Sequence, residues 1–343
     1  MFWLVGKTLK FIWKLFWLLL ILIGIIYLIF NFPVKRKQEK MPLGLTFSNV
    51  YARDLGLDWK KTYLEILDGL SFKKIRLVAY WTEIEKKEGI YDFSDLDWQI
   101  AEAKKRNKEV VLAFGVKVPR WPECFIPEFY LEDSAKREMS LLEYEQKLIE
   151  RYKDNKTVVI WQIENEPFLA FGNCPAGAIS TELLDKEINQ TKKLDESRQI
   201  MVTDSGELSL WYQAASRGDI FGTTLYRELY NKKFGYLKYP VGPNFFVLKK
   251  KLIEKVVGQK NAIVIELQAE PWGPDWVTNL SIEEQYKTMN PDKLQEIIEF
   301  TKKTGLTESY LWGAEWWWWL KEKKNNDEMW KTAQVVFAEN NLE

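Results

Sequence analysis

The chain has 343 residues, 49 basic and 49 acidic side chains, and no histidine. The charge balance gives no electrostatic case for binding nucleic acid. Without histidine, Ser-His-Asp and Cys-His catalytic units are excluded and the commonest metal ligand is missing, so acid–base chemistry falls to Asp, Glu, Lys, Tyr or Cys.

Along the chain, Leu15–Phe30 comes first, a run of sixteen residues without a charge. Taken from Phe11 to Phe32, and tolerating Lys14 and Asn31, it is long enough to cross roughly 30 Å of hydrocarbon as a helix. Trp13, Trp17 and Tyr27 suit the two interfaces. A cleavable signal peptide is the competing reading, but the apolar run is long and no A-x-A-like site follows it. Residues 1–40 are read as a single-pass membrane anchor and basic linker, and residues 41–343 as one catalytic domain expected outside the cytoplasm. Lys7, Lys10 and Lys14 before the run nearly balance Lys35, Arg36, Lys37 and Lys40 after it, so the basic residues do not fix the orientation.

From Met41 a β–α alternation repeats eight times. The expected strands are Gly44–Ser48, Ile75–Ala79, Glu109–Phe114, Val158–Ile163, Gln199–Thr203, Ile220–Thr224, Ala262–Ile265 and Glu308–Trp312. The expected helices are Trp59–Leu70, Leu96–Arg106, Leu141–Tyr152, Thr181–Lys193, Leu208–Ala215, Phe246–Val257, Asp292–Thr304 and Glu328–Glu339. Such alternation means a parallel sheet with right-handed crossovers. Eight units favour a closed (β/α)8 TIM barrel over a doubly wound sheet. The loops Lys117–Ser140, Phe168–Ile179 and Leu229–Pro243 are expected to shape its cleft.

Val158–Phe168, VVIWQIENEPF, holds the sharpest signal. An apolar, β-branched run reads as a strand buried on both faces, and it ends in two carboxylates, an amide and a proline that cannot continue the ladder. In a barrel the C-terminal strand ends share one face. Besides Asn165 and Glu166, those ends supply Asn49, Tyr51, Arg53, Arg76, Trp81, Lys117, Arg120, Trp121, Asp204, Glu207, Tyr226, Arg227, Glu266, Gln268, Trp312 and Glu315. Glu166 after strand four and Glu266 after strand seven form the pair that glycoside hydrolysis requires, one protonated and one ionised. Glu164 and Glu270 compete for these roles. Asn165-Glu166-Pro167 favours Glu166, and the direct end of a β-branched run favours Glu266.

These motifs resemble clan A of the glycoside hydrolases, the retaining (β/α)8 enzymes that include the cellulase-like family five and the β-galactosidase-like family forty-two. The resemblance covers nearly all of residues 41–343 and rests mainly on Asn165-Glu166-Pro167 and on Ile265–Gln268, IELQ. It implies that Glu166 is the acid/base, that Glu266 is the nucleophile and that Asn165 holds the sugar 2-hydroxyl. It further implies that Arg76 orients the nucleophile, that Tyr226 bonds to it and that Trp312 floors the −1 sugar site. Trp121 and Gln268 complete the residues expected to face an oligo- or polysaccharide substrate. Many clan members place a histidine at the mouth, and this chain departs from that pattern. A transglycosylase on the same scaffold and a non-catalytic glycan-binding barrel are the alternatives.

No metal and no cofactor are expected. Neither GxxxxGK[ST] nor GxGxxG occurs, so nucleotide binding has no support. Cys124 and Cys174 cannot complete a structural zinc site alone. They lie on neighbouring loops, where a disulfide and two buried thiols are both open readings. The run Trp316–Trp319 cannot face one pocket with all its rings. One or two are expected to stack on sugar, the others to pack on the barrel, with a membrane-facing patch as a third option.

Overall fold

The computed structural model describes residues 2–341. The N-terminal apolar run is one helix, α1 (Phe2–Phe30), and most of its side chains from Phe11 onward are exposed. The eight β–α units then follow in order. The first comprises β1 (Leu43–Thr46), α2 (Asn49–Asp54) and α3 (Trp59–Gly69), with Ser48 and Asp58 accepting the first free N–H groups of the two helices. The second is β2 (Lys74–Val78), α4 (Trp81–Ile84) and α5 (Ser94–Lys105). β3 (Glu109–Phe114) leads to α6 (Ser134–Tyr152), capped by Asp133, and β4 (Val158–Ile163) to α7 (Thr181–Leu194), capped by Ser180. β5 (Gln199–Asp204) is followed only by the short α8 (Tyr212–Ala215). After β6 (Ile220–Leu225) a hairpin of β7 (Glu228–Asn231) and β8 (Gly235–Lys238) precedes α9 (Pro243–Val257). β9 (Ala262–Gln268) leads to α10 (Ile282–Tyr286) and α11 (Pro291–Thr301). β10 (Ser309–Trp312), α12 (Ala314–Lys324) and α13 (Glu328–Asn341) close the chain.

The large sheet is a closed parallel barrel in the order β1-β10-β9-β6-β5-β4-β3-β2. A doubly wound sheet would leave two edges, whereas here the last strand pairs with the first, Leu43 opposite Ser309 and Leu45 opposite Leu311. Side-chain alternation separates two apolar layers. Val111, Ile160, Met201, Ile220, Ile263, Ile265 and Tyr310 fill the barrel, while Leu112, Phe114, Trp161 and Ile163 join the layer shared with the helices.

Several expectations need correction. The loop Leu229–Pro243 carries most of the β7–β8 hairpin, because Asn231 and Gly235 supply a tight turn between two short β-prone runs. The helix expected over Leu208–Ala215 begins only at Tyr212, after Trp211 adopts a left-handed backbone. The four tryptophans Trp316–Trp319 lie on α12 and are all buried, so none stacks on sugar and none forms a membrane patch. Trp316 donates to Gln285, Trp317 to the Ala269 carbonyl and Trp318 to Glu322. The first part of α12, Ala314–Leu320, is buried all round, whereas Glu322, Lys323 and Lys324 at its C-terminal end are exposed. The linker is not free: Arg36 pairs with Glu299, and the Lys37 N–H donates to the Lys302 carbonyl at 2.9 Å.

Behind β4 lies a chain of three buried carboxyls, Glu145 on α6, Glu187 on α7 and Glu164. Glu187 lies between the other two, and among the described residues neither its carboxyl nor that of Glu145 accepts from a donor group, so these carboxyls are favourably joined only by a proton held between them. Burial pushes Glu145 up to about 8. Burial and then the Glu145 charge push Glu187 well above the usual carboxylate range, and burial and then the Glu187 charge do the same to Glu164. Groups whose folded-state affinity for protons is raised stabilise the fold at low pH and lose that contribution as pH rises through their folded values. The thermal midpoint is therefore expected to fall between pH 5 and pH 9, on the order of 5–10 °C. Calorimetry of the parent and of Glu145→Gln checks this: the substituted chain should show a flatter pH profile, and a slope equal to the parent's counts against the shared-proton chain.

Candidate active site

The mouth is built around Arg76, which β2 projects into the barrel and which is fully buried. Its guanidinium donates through Nε to Gln162 Oε1, through Nη1 to Glu266 Oε1 and through Nη2 to Asn165 Oδ1, each at 2.7 Å. The acceptors come from β4, from the residues just after β4, and from β9. One planar fork thus gathers the two strand ends that carry Glu166 and Glu266.

Local backbone irregularities aim the carboxylates. In β9 the residues from Val264 to Leu267 span one residue more than the facing residues of both β6 and β10. This bulge breaks the alternation, so Ile263 and Ile265 point into the barrel and Glu266 also turns inward to Arg76. After β4, Glu164 and Glu166 both have left-handed backbones, with φ of 57° and 46°. Such conformations persist only where the surroundings over-determine them. Here Glu164 accepts the N–H groups of Val116 and Lys117 at 2.7 and 2.6 Å. Its carboxyl occupies the space beside Gly115, where a Cβ would come within 2.6 Å of it. Lys117 donates to the carbonyls of Glu166 and Leu169 at 3.0 and 2.9 Å, and the Glu166 N–H donates to Thr203 Oγ1 at 2.8 Å. Glu164, the rival carboxylate, is therefore a brace. So is Lys117.

The two candidate carboxyls sit in opposed environments. Glu266 pairs with the Arg76 guanidinium and accepts from the Tyr226 hydroxyl at 3.3 Å. Glu166 has no cation at bonding distance among the described residues and accepts from Thr224 Oγ1 at 3.2 Å. Burial, then the charges of Glu266 and Glu123, push it well above the usual carboxylate range, against the pull of Lys117. A buried carboxyl without a cation, facing one paired with arginine, can divide acid and nucleophile roles with it. Burial and the Glu266 charge likewise raise Tyr226, which keeps its phenol a donor.

Asn165 Oδ1 faces Arg76, with Gln162 and the Thr203 hydroxyl at 3.4 Å, which turns Nδ2 toward the cleft. That amide bonds to Glu123. Glu123 is a third carboxyl at the mouth: it is buried, its Oε2 has no partner, and burial followed by the Glu266 charge pushes it up to about 8. Sequence reasoning missed it because it follows strand three by nine residues in a long loop. The disulfide Cys124–Cys174 was the available clue. It is formed, with Cα atoms 5.2 Å apart, and it ties Glu123's loop to the loop after β4.

Trp312 forms an inner wall. Its Nε1 donates to Glu270 at 2.8 Å, and the Arg120 guanidinium lies 3.8 Å from its ring and 3.6 Å from that of Tyr51. Arg120 also pairs with Glu270 and Glu315, at 2.5 and 3.2 Å. Glu270, the other rival nucleophile, is thus engaged in holding Trp312, and Glu315 also accepts the Ser48 N–H. Trp121 is 60% exposed and meets Phe171 edge-on, the start of an aromatic rim running through Trp272 to Tyr226. Gln268 does not face the cleft. It accepts the N–H groups of Arg227 and Glu228 at 2.8 and 3.0 Å and donates to the Glu228 carbonyl, which makes it a clamp on the β7–β8 hairpin. No group of three or more acidic or cysteine side chains among the described residues has the geometry to hold a metal ion.

No protein-family model matches the chain. Over 112 residues it is 30% identical to β-galactosidase LacA of Lactobacillus acidophilus, a match covering 27% of this chain and 16% of that protein. Over 179 residues it is 27% identical to β-galactosidase BgaA of Clostridium cellulovorans, covering 46% of this chain and 27% of that protein. The chain therefore spans less than a third of the curated relatives it matches. Among solved structures, the β-galactosidase of Bacillus circulans sp. alkalophilus superposes with a TM-score of 0.58 at 12% identity, covering 90% of this chain and 57% of that one. The exo-β-1,4-mannosidase Op5Man5 of Opitutaceae bacterium strain TAV5 gives 0.58 at 13% identity, covering 88% and 60%. At these identities the likeness is one of fold: the barrel is of the (β/α)8 type that clan A glycoside hydrolases adopt.

Removing Arg76 leaves a carboxylate and two amides without their charged donor in a dry barrel. The Arg76→Met chain is expected to lose about 3–5 kcal/mol of unfolding free energy. Denaturant titration measures it, and a loss under about 1 kcal/mol counts against Arg76 as the central tie.

Proposed function

We propose that this chain is a retaining glycoside hydrolase of a β-linked glycan, anchored in a membrane by α1. One observation carries the reading of the site. Arg76 binds Glu266 and Asn165 together, so an arginine-paired carboxyl and an amide donor meet beside a carboxyl that burial and neighbouring charges hold well above the usual carboxylate range.

In this mechanism a Glu266 oxygen attacks the anomeric carbon while Glu166 gives its proton to the departing glycosidic oxygen. The C–O bond to the leaving group breaks and a glycosyl ester forms. Glu166, now ionised, takes a proton from water, whose oxygen attacks the same carbon and releases Glu266. Arg76 and the Tyr226 hydroxyl hold Glu266 in place between turnovers. Asn165 Nδ2 offers a donor to the sugar 2-hydroxyl, and Trp312 offers its ring to the −1 sugar. Trp121, on the exposed rim, suits a more distant sugar of an oligo- or polysaccharide. Glu123, holding a proton near neutrality, does part of the work that a histidine at this mouth would do.

The anchor reading rests on Phe11–Phe30, 20 residues long, apolar and unburied, and on its packing against the barrel rather than into it. The disulfide suits a domain outside the cytoplasm.

Hydrolysis of aryl β-glycosides, followed by NMR of the first-formed anomer, tests the chemistry. The expected product is the β-anomer, and an α-anomer overturns the covalent route. Glu266→Gln should abolish turnover. Glu166→Gln should lower kcat/KM by about 10²–10⁴-fold on substrates whose leaving group needs a proton, and far less on dinitrophenyl glycosides, which do not, while kcat on the latter falls because the second step loses its base. Because the raised group must be protonated for the first step, activity should fall as pH rises through its folded value, and this alkaline limb should vanish in Glu166→Gln.

A further inference from the structure

The end of α1 is docked on the barrel. Asn31 Nδ2 donates to the Pro240 carbonyl at 3.1 Å, Asn244 Nδ2 donates to the Ile29 carbonyl at 2.8 Å, and the Phe30 ring meets Phe245 edge-on at 5.0 Å. Pro240 and Asn244 lie just before and within the first turn of α9, at the mouth end of the barrel, where every helix that follows a strand begins.

Two loops of the mouth are tied to this joint. The Lys249 ammonium lies 4.9 Å from the Phe245 ring and 4.1 Å from the Trp211 ring, and it donates to the carbonyls of Gly206 and Ser209. The loop after β5 is therefore linked to Phe30 through two side chains, Phe245 and Lys249. It presents Leu208 and Leu210, which are 65% and 79% exposed. The base of the β7–β8 hairpin flanks Pro240: the Tyr239 N–H donates to the Arg227 carbonyl at 2.9 Å, and Arg227 donates to the Val241 carbonyl at 2.7 Å. The hairpin tip is Lys232-Lys233-Phe234, with both lysines exposed and Phe234 69% exposed.

A span that ends at Phe30 puts that residue at the edge of the hydrocarbon. Pro240, Asn244 and Phe245, which contact the end of α1, then stand at the lipid–water boundary, and the two loops tied to them carry exposed leucine, phenylalanine and lysine, the residue types that gain burial or meet head groups there. We infer that the loop after β5 and the tip of the β7–β8 hairpin form a membrane-contact surface, seated at the lipid interface by the docked end of α1, with the barrel mouth opening beside the bilayer. The inference rests on the reading of α1 as an anchor. The same wall reaches the reaction centre, since Glu207 accepts the Tyr226 N–H at 3.1 Å and Tyr226 touches Glu266.

The test uses the full chain in vesicles of phosphatidylcholine and phosphatidylglycerol. Leu210→Cys, Phe234→Cys and the control Lys156→Cys each carry one reactive thiol, because Cys124 and Cys174 are bonded to each other. Lys156 is exposed and lies two residues before the start of β4, at the opposite end of the barrel. With an environment-sensitive fluorophore on each thiol, positions 210 and 234 should shift to the blue and be quenched by brominated lipid at least about twofold more than position 156. If the chain floats with the vesicles but positions 210 and 234 are as wet as 156, this inference fails and the anchor stands. If the chain does not float, the anchor fails and the inference with it.

Discussion

A single buried guanidinium organises this molecule. Arg76 is enclosed in the barrel and fills its planar fork with Gln162, Asn165 and Glu266, three acceptors from strand ends on different sides of the ring. A buried charge is tolerable only when its partner and its donors are satisfied. The strands that bring those acceptors must therefore hold their register for the barrel to close around the charge. Closing the barrel and assembling the site become one requirement.

The next constraint is aim. A parallel strand delivers side chains alternately inward and outward, which is too coarse to set a carboxylate against a particular atom. The extra residue in β9 shifts the phase so that Glu266 turns to Arg76. Left-handed backbone at Glu164 and Glu166, with Lys117 and Thr203 holding the chain there, does the same after β4. These irregular geometries are held by buried polar contacts close at hand, and they cluster where the chemistry is proposed.

Without histidine, one side-chain type has to behave in several ways, and local surroundings make it do so. Glu266 is paired with Arg76, and Glu270 and Glu315 are paired with Arg120. Buried without a cation at bonding distance among the described residues, Glu166 is held well above the usual carboxylate range and Glu123 is pushed up to about 8. Behind β4 the chain of Glu145, Glu187 and Glu164 shares protons among buried carboxyls. Dielectric and partner, more than residue type, set the chemistry of each.

Periodicity alone carried the eight strands, their parallel order and the barrel, because apolar runs between amphipathic helices have few ways to bury both faces. The strand-end pattern also marked Glu166, Glu266 and Asn165, whereas Arg76, in the middle of β2, was singled out by the resemblance to clan A. The sequence had no means to reveal the bulge at Glu266, the hairpin after β6 or the burial of Trp316–Trp319, which depend on what neighbouring strands and helices cover. Gln268 shares the strand-end signature, yet its amide is spent on loop backbone. Glu123 lacks that signature and reaches the site through a folded loop tied by Cys124–Cys174. Local pattern determined which residues arrive at the mouth on strands. Only the tertiary structure decided which of them face the cleft and which carboxyls keep a proton, because both depend on partners distant in sequence and brought together by closing the barrel.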